Sequence, residues 1–274
     1  MASSEQEQLW NGPSGRVWVE AQALLDQTFR PFEDLLVEAA LARSPRRVLD
    51  IGCGTGATTL ALARRLGAHA RCVGLDISDP MLALARERAA REGSQAEFIR
   101  ADAQTHPFEP ASVDMIVSRF GVMFFDDPVA AFANLRRAST GNAALRLIAW
   151  RSAAENPFMT AAERAAAPLL PELPPRNPDG PGQFAFGSAK RVQAILEDSG
   201  WTGAELRPID VECAFPATQL DAYLTRLGPV GRVVQEADEP TRARIMQTIR
   251  PAFDPYVHGG DVRFVAACWM VSAG

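Results

Sequence analysis

Val48-Leu49-Asp50-Ile51-Gly52-Cys53-Gly54-Thr55-Gly56 decides the fold of this chain. Val48, Leu49 and Ile51 form a short apolar run of the kind that makes a buried parallel strand. Asp50 sits near its end. Gly52, Gly54 and Gly56 then alternate with small residues. From Ala57 to Leu66 the apolar residues Leu60, Ala61, Ala63 and Leu66 recur at helical spacing. The order is strand, glycine turn, helix. Glycine suits the turn because the chain bends sharply there and a ligand can approach backbone that a Cβ would shield. The first turn of the helix offers N–H groups without intrahelical partners to a polar ligand.

Gly52, Gly54 and Ala57 also satisfy the G-x-G-x-x-G/A pattern of dinucleotide-binding enzymes, so the surroundings have to decide. A second strand, 71–75, ends in Asp76, a carboxylate placed where a ribose diol is held. NAD and S-adenosylmethionine both carry that diol. Asp50, two residues before Gly52, separates them better. A carboxylate beside the turn repels a pyrophosphate but suits an ammonium and a sulfonium. Asp102, after the strand-like run 96–99, can accept from an adenine amino group, with Ala103 beside it. A fourth strand, Val113 to Ser118, leads into Arg119, Phe120 and an apolar run to Phe125.

These motifs, in this order, resemble the class I S-adenosylmethionine-dependent methyltransferases, in particular the small-molecule branch related to the ubiquinone/menaquinone C-methyltransferases (methyltransferase type 11-like). The resemblance covers about Val48 to Trp150. A weaker likeness runs through Asn156-Pro157-Phe158 and Gly182-Gln183-Phe184-Ala185-Phe186. It implies S-adenosyl-L-methionine as cofactor and O-, C- or N-methylation of a small, apolar or aromatic acceptor. The cofactor contacts it implies are Trp10, Asp50, Gly52, Cys53, Gly54, Gly56, Asp76, Ile77, Met81, Asp102, Ala103, Ser118, Arg119 and Phe120. An NAD(P)-dependent oxidoreductase and a non-catalytic S-adenosylmethionine-binding protein stand as alternatives.

Composition agrees with a globular enzyme: 274 residues, 47% of them hydrophobic, with a formal charge of −5. No basic cluster longer than Arg46-Arg47 or Arg136-Arg137 is present, which argues against nucleic acid as partner. No apolar run reaches the 18 or so residues needed to span a membrane. Met1 to Gln8 is polar and acidic, unlike a secretory signal. The four cysteines, at 53, 72, 213 and 268, form no C-x-x-C pair. Buried reduced thiols, no metal site and a cytoplasmic location are expected. The chain is expected to act as a monomer or homodimer.

Strands alternating with helices up to Trp150 imply a doubly wound α/β sheet. A helical pattern covers Val17 to Ala42, and Pro31 is expected to start its second helix. Trp10 and Trp18 either line a pocket beside the sulfonium or anchor packing. Asp79-Pro80 opens a helix to Glu92, with Asp79 as its N-cap. Met81 either touches the adenine or belongs to the core. Residues 145–150 read as strand 5. The proline-rich stretch 151–187 breaks the alternation, as a lid or substrate segment would. Ser188 caps a helix, 205–215 is strand 6, 220–249 is helical, and 262–272 is a final strand. The resemblance places that final strand antiparallel between strands 5 and 6.

The expected architecture is therefore a Rossmann-like, seven-stranded, mostly parallel sheet with its last strand antiparallel, plus helical lid insertions. The expected segments are 1–45 covering the cofactor, a binding core 46–150, and a lid 151–187. A core continuation 188–215, a second lid 216–260 and the final strand 261–274 follow. Few acid–base groups stand out. His69 and His106 read as structural. His258, Tyr223 and Tyr256 are the weak catalytic candidates, and no base is named with conviction.

Overall fold

The computed structural model describes residues 5–177 and 180–274. Met1–Ser4 of the polar N-terminus and Pro178 of the proline-rich stretch lie outside the described residues. The chain opens with three helices, α1 (Glu5–Asn11), α2 (Pro13–Glu20) and α3 (Gln22–Arg43), and continues with β1 (Arg47–Ile51), α4 (Ala57–Leu66), β2 (Arg71–Asp76) and α5 (Asp79–Glu92). Next come β3 (Glu97–Arg100), β4 (Val113–Arg119), α6 (Pro128–Ala138) and β5 (Ser139–Trp150). The rest is α7 (Ala161–Ala166), α8 (Ala189–Asp198), β6 (Glu205–Pro216), α9 (Leu220–Arg226), α10 (Gly228–Glu236), α11 (Glu239–Ile249), β7 (Val257–His258) and β8 (Asp261–Ala273).

The seven expected strands form one sheet in the order β3-β2-β1-β4-β5-β8-β6, and the two-residue β7 adds an eighth by pairing with β8. The pairs β1–β2, β1–β4, β2–β3 and β4–β5 are parallel. β8 runs antiparallel to both β5 and β6. The carboxyl ends of β1, β2, β3 and β4 therefore face one side, and the loops that follow them converge there.

Several local expectations change. Pro31 lies inside a continuous α3 rather than starting a helix. A proline removes one backbone bond and crowds the preceding turn. Burial of Phe29, Phe32 and Leu36 against the sheet side of α3 holds the helix through it. The N-cap of α5 is Ser78, not Asp79: Ser78 has extended backbone and Asp79 is already the first helical residue, with its N–H on the Asn11 side chain. β5 begins at Ser139, six residues earlier than the apolar pattern suggests. A register shift between Val113 and Met115 absorbs the extra length. β6 and β8 each extend by a residue or two.

The segments 151–187 and 216–260 pack over the carboxyl end of β6 and the amino end of β8, which the antiparallel register brings together. Phe158 is fully buried at their centre, stacked on Phe264 with ring centroids 3.9 Å apart. Phe253 and Tyr256 meet Phe158 edge-on, at 5.2 and 5.0 Å. This aromatic group is continuous with the main core.

Candidate active site

A cleft opens to solvent at the carboxyl ends of β1, β2, β3 and β4. Its floor is the glycine turn. Gly52 has φ +65°, and a Cβ there would lie 2.6 Å from Gly121 Cα, so the β1 and β4 loops touch backbone to backbone. Gly54 also has positive φ, but a Cβ there would meet only Met81 Sδ, at 3.7 Å. Its α-carbon faces the open cleft. The N–H groups of Gly52 and Cys53 donate to Leu75 O, at 2.8 and 3.1 Å. The turn is thus fastened to the end of β2 before any ligand arrives.

Two buried carboxylates sit under that turn. Asp76 accepts from Gly54 N–H at 2.7 Å through one oxygen and from Ser78 N–H at 2.9 Å through the other. A carboxylate has about four acceptor sites, so capacity remains toward the cleft, which Asp76 lines. Burial pushes its acidity down, raising the pKa, and the backbone N–H groups of Ser78, Gly54 and Ile77 partly oppose this. Asp50 is 1% exposed and accepts from the Thr59 hydroxyl at 2.6 Å. Burial raises its pKa to about 7, against the pull of Thr59 and of the Arg119 guanidinium.

Arg119 ends β4 and lines the cleft. Its hydrogen bond runs to Phe29 O on α3, at 3.3 Å. Phe120 follows in the left-handed region, φ +64°, where a bulky side chain is strained. It stacks on Trp150 at 4.6 Å and meets Phe32 and Phe29 edge-on. This aromatic packing holds the ring beside the cleft. Asp102, after β3, is chelated by Gln104, whose Nε2 donates to both carboxylate oxygens at 3.1 and 3.0 Å. Gln104 Oε1 accepts from Asp127 N–H at 2.6 Å and so ties this loop to the one after β4.

The N-terminal helices roof the cleft. Asn11 donates to Ile77 O at 2.9 Å and accepts from Asp79 N–H at 2.8 Å. The Ser78 hydroxyl donates to Trp10 O at 2.7 Å. The Trp10 ring meets Trp18 and Phe124 edge-on, at 5.8 and 5.0 Å. A Cβ on Gly15 would fall 1.9 Å from Trp10 O, which fixes that residue as glycine.

Of the expected contacts, Trp10, Asp50, Gly52, Cys53, Gly54, Asp76, Ile77 and Met81 line this cleft. So do Asp102, Ala103, Arg119 and Phe120. Gly56 and Ser118 do not. A Cβ on Gly56 would run into Phe98 and Ala85, at 2.9 and 3.0 Å, so it serves the contact between the turn and α5. Ser118 is fully buried, donates to Ile51 O at 2.7 Å and accepts from Gly121 N–H at 3.2 Å. It locks β4 to β1 from below.

The weak catalytic candidates are also elsewhere. His258 is exposed on β7. Tyr223 stacks on Phe215 at 5.2 Å, points its hydroxyl at Met159 Sδ, and has its pKa raised by burial. Tyr256 packs on Phe158. Among the described residues, none of 151–187 or 216–260 lines the cleft, so those segments do not wall it. Sequence reasoning missed Leu25, Asp26 and Phe29 of α3, Thr55 of the turn, Thr58 in the first turn of α4, and Gln104. The alternation of apolar residues in α3 marks a buried helix but not which turn of it meets a ligand.

Residues 48–140 match the family model described as a methyltransferase domain. Over 101 residues the chain is 39% identical to a demethylmenaquinone methyltransferase of Thermus thermophilus, covering 37% of this chain and 46% of that protein. An uncharacterised protein of Mycobacterium tuberculosis is 29% identical over 180 residues, covering 66% of this chain and 62% of its own. The chain thus spans about half the length of the curated relatives it matches. The fold is that of the YcgJ protein of Bacillus subtilis, with a TM-score of 0.57 at 18% identity over 88% of this chain and 96% of that one. Residues 48–140 are a class I S-adenosylmethionine-dependent methyltransferase domain, related to that of the quinone methyltransferases.

Proposed function

We propose that this chain transfers a methyl group from S-adenosyl-L-methionine to a small, apolar or aromatic acceptor. One observation carries the reading: the Asp76 carboxylate is held against Gly54 N–H at the rim of the cleft, with acceptor capacity turned toward it. That matches a ribose diol. The remaining charges fit the amino-acid end of the same cofactor. Asp50 suits the ammonium and Arg119 the carboxylate, two opposite charges lining one cleft. Ile77 and Met81, which line the cleft, would sandwich the adenine, while Asp102 would accept from its amino group and Ala103 would supply a backbone N–H.

When bound, the cofactor supplies the electrophilic methyl carbon. The chain's own contribution is to orient and to keep water out. Trp10, Trp18, Phe120, Phe124 and Phe125 line the cleft with aromatic faces, which favour a flat apolar acceptor and a neighbouring cation. The quinone-type relative points to the same acceptor class. No helix among the described residues is long and apolar enough to cross a membrane. The free cysteines are all buried, in keeping with a reducing cytoplasm. We place the protein there, as a monomer or homodimer without a nucleic-acid partner.

A second reading is a protein that binds the cofactor without transferring methyl, favoured by the position of His258, Tyr223 and Tyr256 away from the cleft. An oxidoreductase fits less well, since Asp50 under the turn opposes a pyrophosphate. Calorimetry with S-adenosylhomocysteine and NAD, beside a labelled-methyl assay over flat hydroxylated aromatics, separates the three. Tight S-adenosylhomocysteine binding with methyl transfer is expected. Binding without transfer to any acceptor favours the second reading, and preferential NAD binding removes the first.

A further inference from the structure

The outer half of the sheet carries a second, solvent-open hollow that the methyl-transfer reading leaves unused, with Glu205 and Arg207 at its exposed rim. It lies between α3 and the strands β5, β8 and β6. Strand register explains why its charges meet. Arg146 of β5 pairs with Ser272 of β8, which pairs with Glu205 of β6. One step along, Met270 pairs with Arg207. Side chains two apart on a strand share a face, so Arg146, Ser272, Glu205, Met270 and Arg207 all point toward α3. Leu35 and Ala39 of α3 complete the wall.

The balance of charge there is positive. Arg146 is half-buried, and its hydrogen bond goes to the carbonyl of its own neighbour, Leu145, at 2.7 Å. Arg43, at the end of α3, donates to Asn142 O and acts on Arg146 through space. Among the described residues, Arg43, Arg146 and Arg207 form no ion pair within 4.0 Å. Glu205 is the one acidic residue lining the cavity. Burial and the neighbouring Arg43 push the pKa of Arg146 down, and the attraction of Glu205 opposes them only in part. A guanidinium has five donors in a fixed fork that matches the oxygens of a phosphate.

We propose that Arg146, Arg207 and the Ser272 hydroxyl form a binding site for a phosphate-type oxyanion bearing an apolar substituent. The arginines take the oxygens, and Leu35, Ala39 and Met270 take the substituent. The site is distinct from the methyl-transfer cleft: Ala39 lies ten residues beyond Phe29 on α3, about 15 Å at 1.5 Å per residue. Both sites share that helix.

The test titrates the full chain with inorganic phosphate and with phenyl phosphate, against chloride at matched ionic strength, following backbone amide shifts and melting temperature. Saturable shifts at 146, 205–207 and 270–272 are expected, with phenyl phosphate binding several-fold more tightly than phosphate. R146Q should weaken both at least tenfold, and R207Q several-fold. Without phosphate, R146Q should melt at or above the wild-type temperature, because burial and Arg43 outweigh Glu205 in disfavouring the charge it removes. Absence of saturation, equal binding by R146Q, or a lower melting temperature of R146Q without phosphate would each overturn the site. So would shifts confined to the glycine turn. None of these outcomes depends on methyl transfer, which the cofactor experiments above address separately.

Discussion

Arg88 of α5 forms an ion pair with Asp26 of α3 at 2.7 Å, while its other amino group donates to Thr55 O in the glycine turn, also at 2.7 Å. One guanidinium therefore joins the roof of the cleft to its floor. The side chains are 15% and 23% exposed, so the pair is shielded enough to matter. Removing Arg88 leaves the Asp26 carboxylate with the Gln22 amide but without its counter-charge, and takes the donor from a turn carbonyl at the same time. R88A is expected to cost about 1–3 kcal/mol of stability and to weaken S-adenosylhomocysteine binding by roughly tenfold, about 1.4 kcal/mol. Thermal melts and calorimetry check both numbers. A normal melting temperature with unaltered binding would show the pair to be ornamental.

Asp76 has a structural duty as well as the proposed one. Its oxygens hold Gly54 N–H and Ser78 N–H. D76A therefore lowers stability and binding together and is a poor probe. D76N keeps the shape and one acceptor oxygen, although its NH2 then faces one of the two backbone N–H groups and so costs some stability as well. It should fold and lose about 1.5–3 kcal/mol of cofactor binding, the range for a hydrogen bond to a charged group. Calorimetry giving wild-type affinity for S-adenosylhomocysteine in a folded D76N protein would remove Asp76 from the ribose.

The pH dependence rests on Asp50. Its carboxyl titrates at 3.8 when unperturbed and is raised to about 7 by burial. The folded state thus holds a proton that the unfolded chain has lost. Its contribution to stability is present in full below 3.8 and fades as pH rises through about 7. The free protein should lose stability between those values more steeply than D50N. An ammonium beside Asp50 favours the ionised form, so cofactor binding should expel a proton near pH 6 and tighten toward pH 8. Calorimetry in buffers of different ionisation enthalpy reads that proton directly. No proton release at pH 6 would take the ammonium away from Asp50.

Gly54 and Gly56 look alike in sequence and should behave differently. A Cβ on Gly54 meets open cleft, whereas one on Gly56 meets Phe98 and Ala85 within about 3.0 Å. Both have positive φ, so each valine variant carries backbone strain of about 1–2 kcal/mol. G56V adds a clash in the core and should melt much lower. G54V should lose cofactor binding out of proportion to its melting temperature. Equal stability of the two variants would mean that the turn relaxes freely.

The core was legible because its signals are local. The run 48–56 combines a buried strand, positive-φ glycines and a helix start, and the carboxylates Asp76 and Asp102 close adjacent strands. Ser118 and Gly56 misled because a residue beside a motif need not face the ligand. Strand alternation turns Ser118 under the sheet, toward Ile51 O. Tyr223 and Tyr256 looked available as isolated polar aromatics, but five rings converge on Phe158, theirs among them, and only the tertiary fold assembles them. The start of β5 at Ser139 was hidden because Ser139-Thr140-Gly141-Asn142 has no apolar alternation. Asp26 and Gln104 act through partners 62 and 23 residues away in sequence, Arg88 and Asp127, which no spacing rule connects.

Asn11 offers the cleanest test of the roof. Its side chain donates to Ile77 O and accepts from Asp79 N–H, at 2.9 and 2.8 Å. Those two groups belong to the loop proposed to hold the adenine. The other ties are less suited to a probe, since Trp10 works through its backbone carbonyl and Glu7 through an ion pair with Arg100 that is more than a third exposed. The sheet does not depend on Asn11, because β1 begins only at Arg47 and α3 packs on the sheet by itself. N11A should therefore melt within a few degrees of wild type. Each lost neutral bond is worth about 1 kcal/mol, so α1 and α2 should open more often by one to two orders of magnitude. Hydrogen exchange of amides 9–20 should speed up accordingly, and S-adenosylhomocysteine should restore protection in the wild type more than in N11A. Deleting residues 1–20 should extend the effect, leaving a folded core with weakened cofactor binding and slower methyl transfer. If amides 9–20 are equally protected with and without S-adenosylhomocysteine, and the truncated chain binds it as the full chain does, these helices are a fixed wall rather than a closing one.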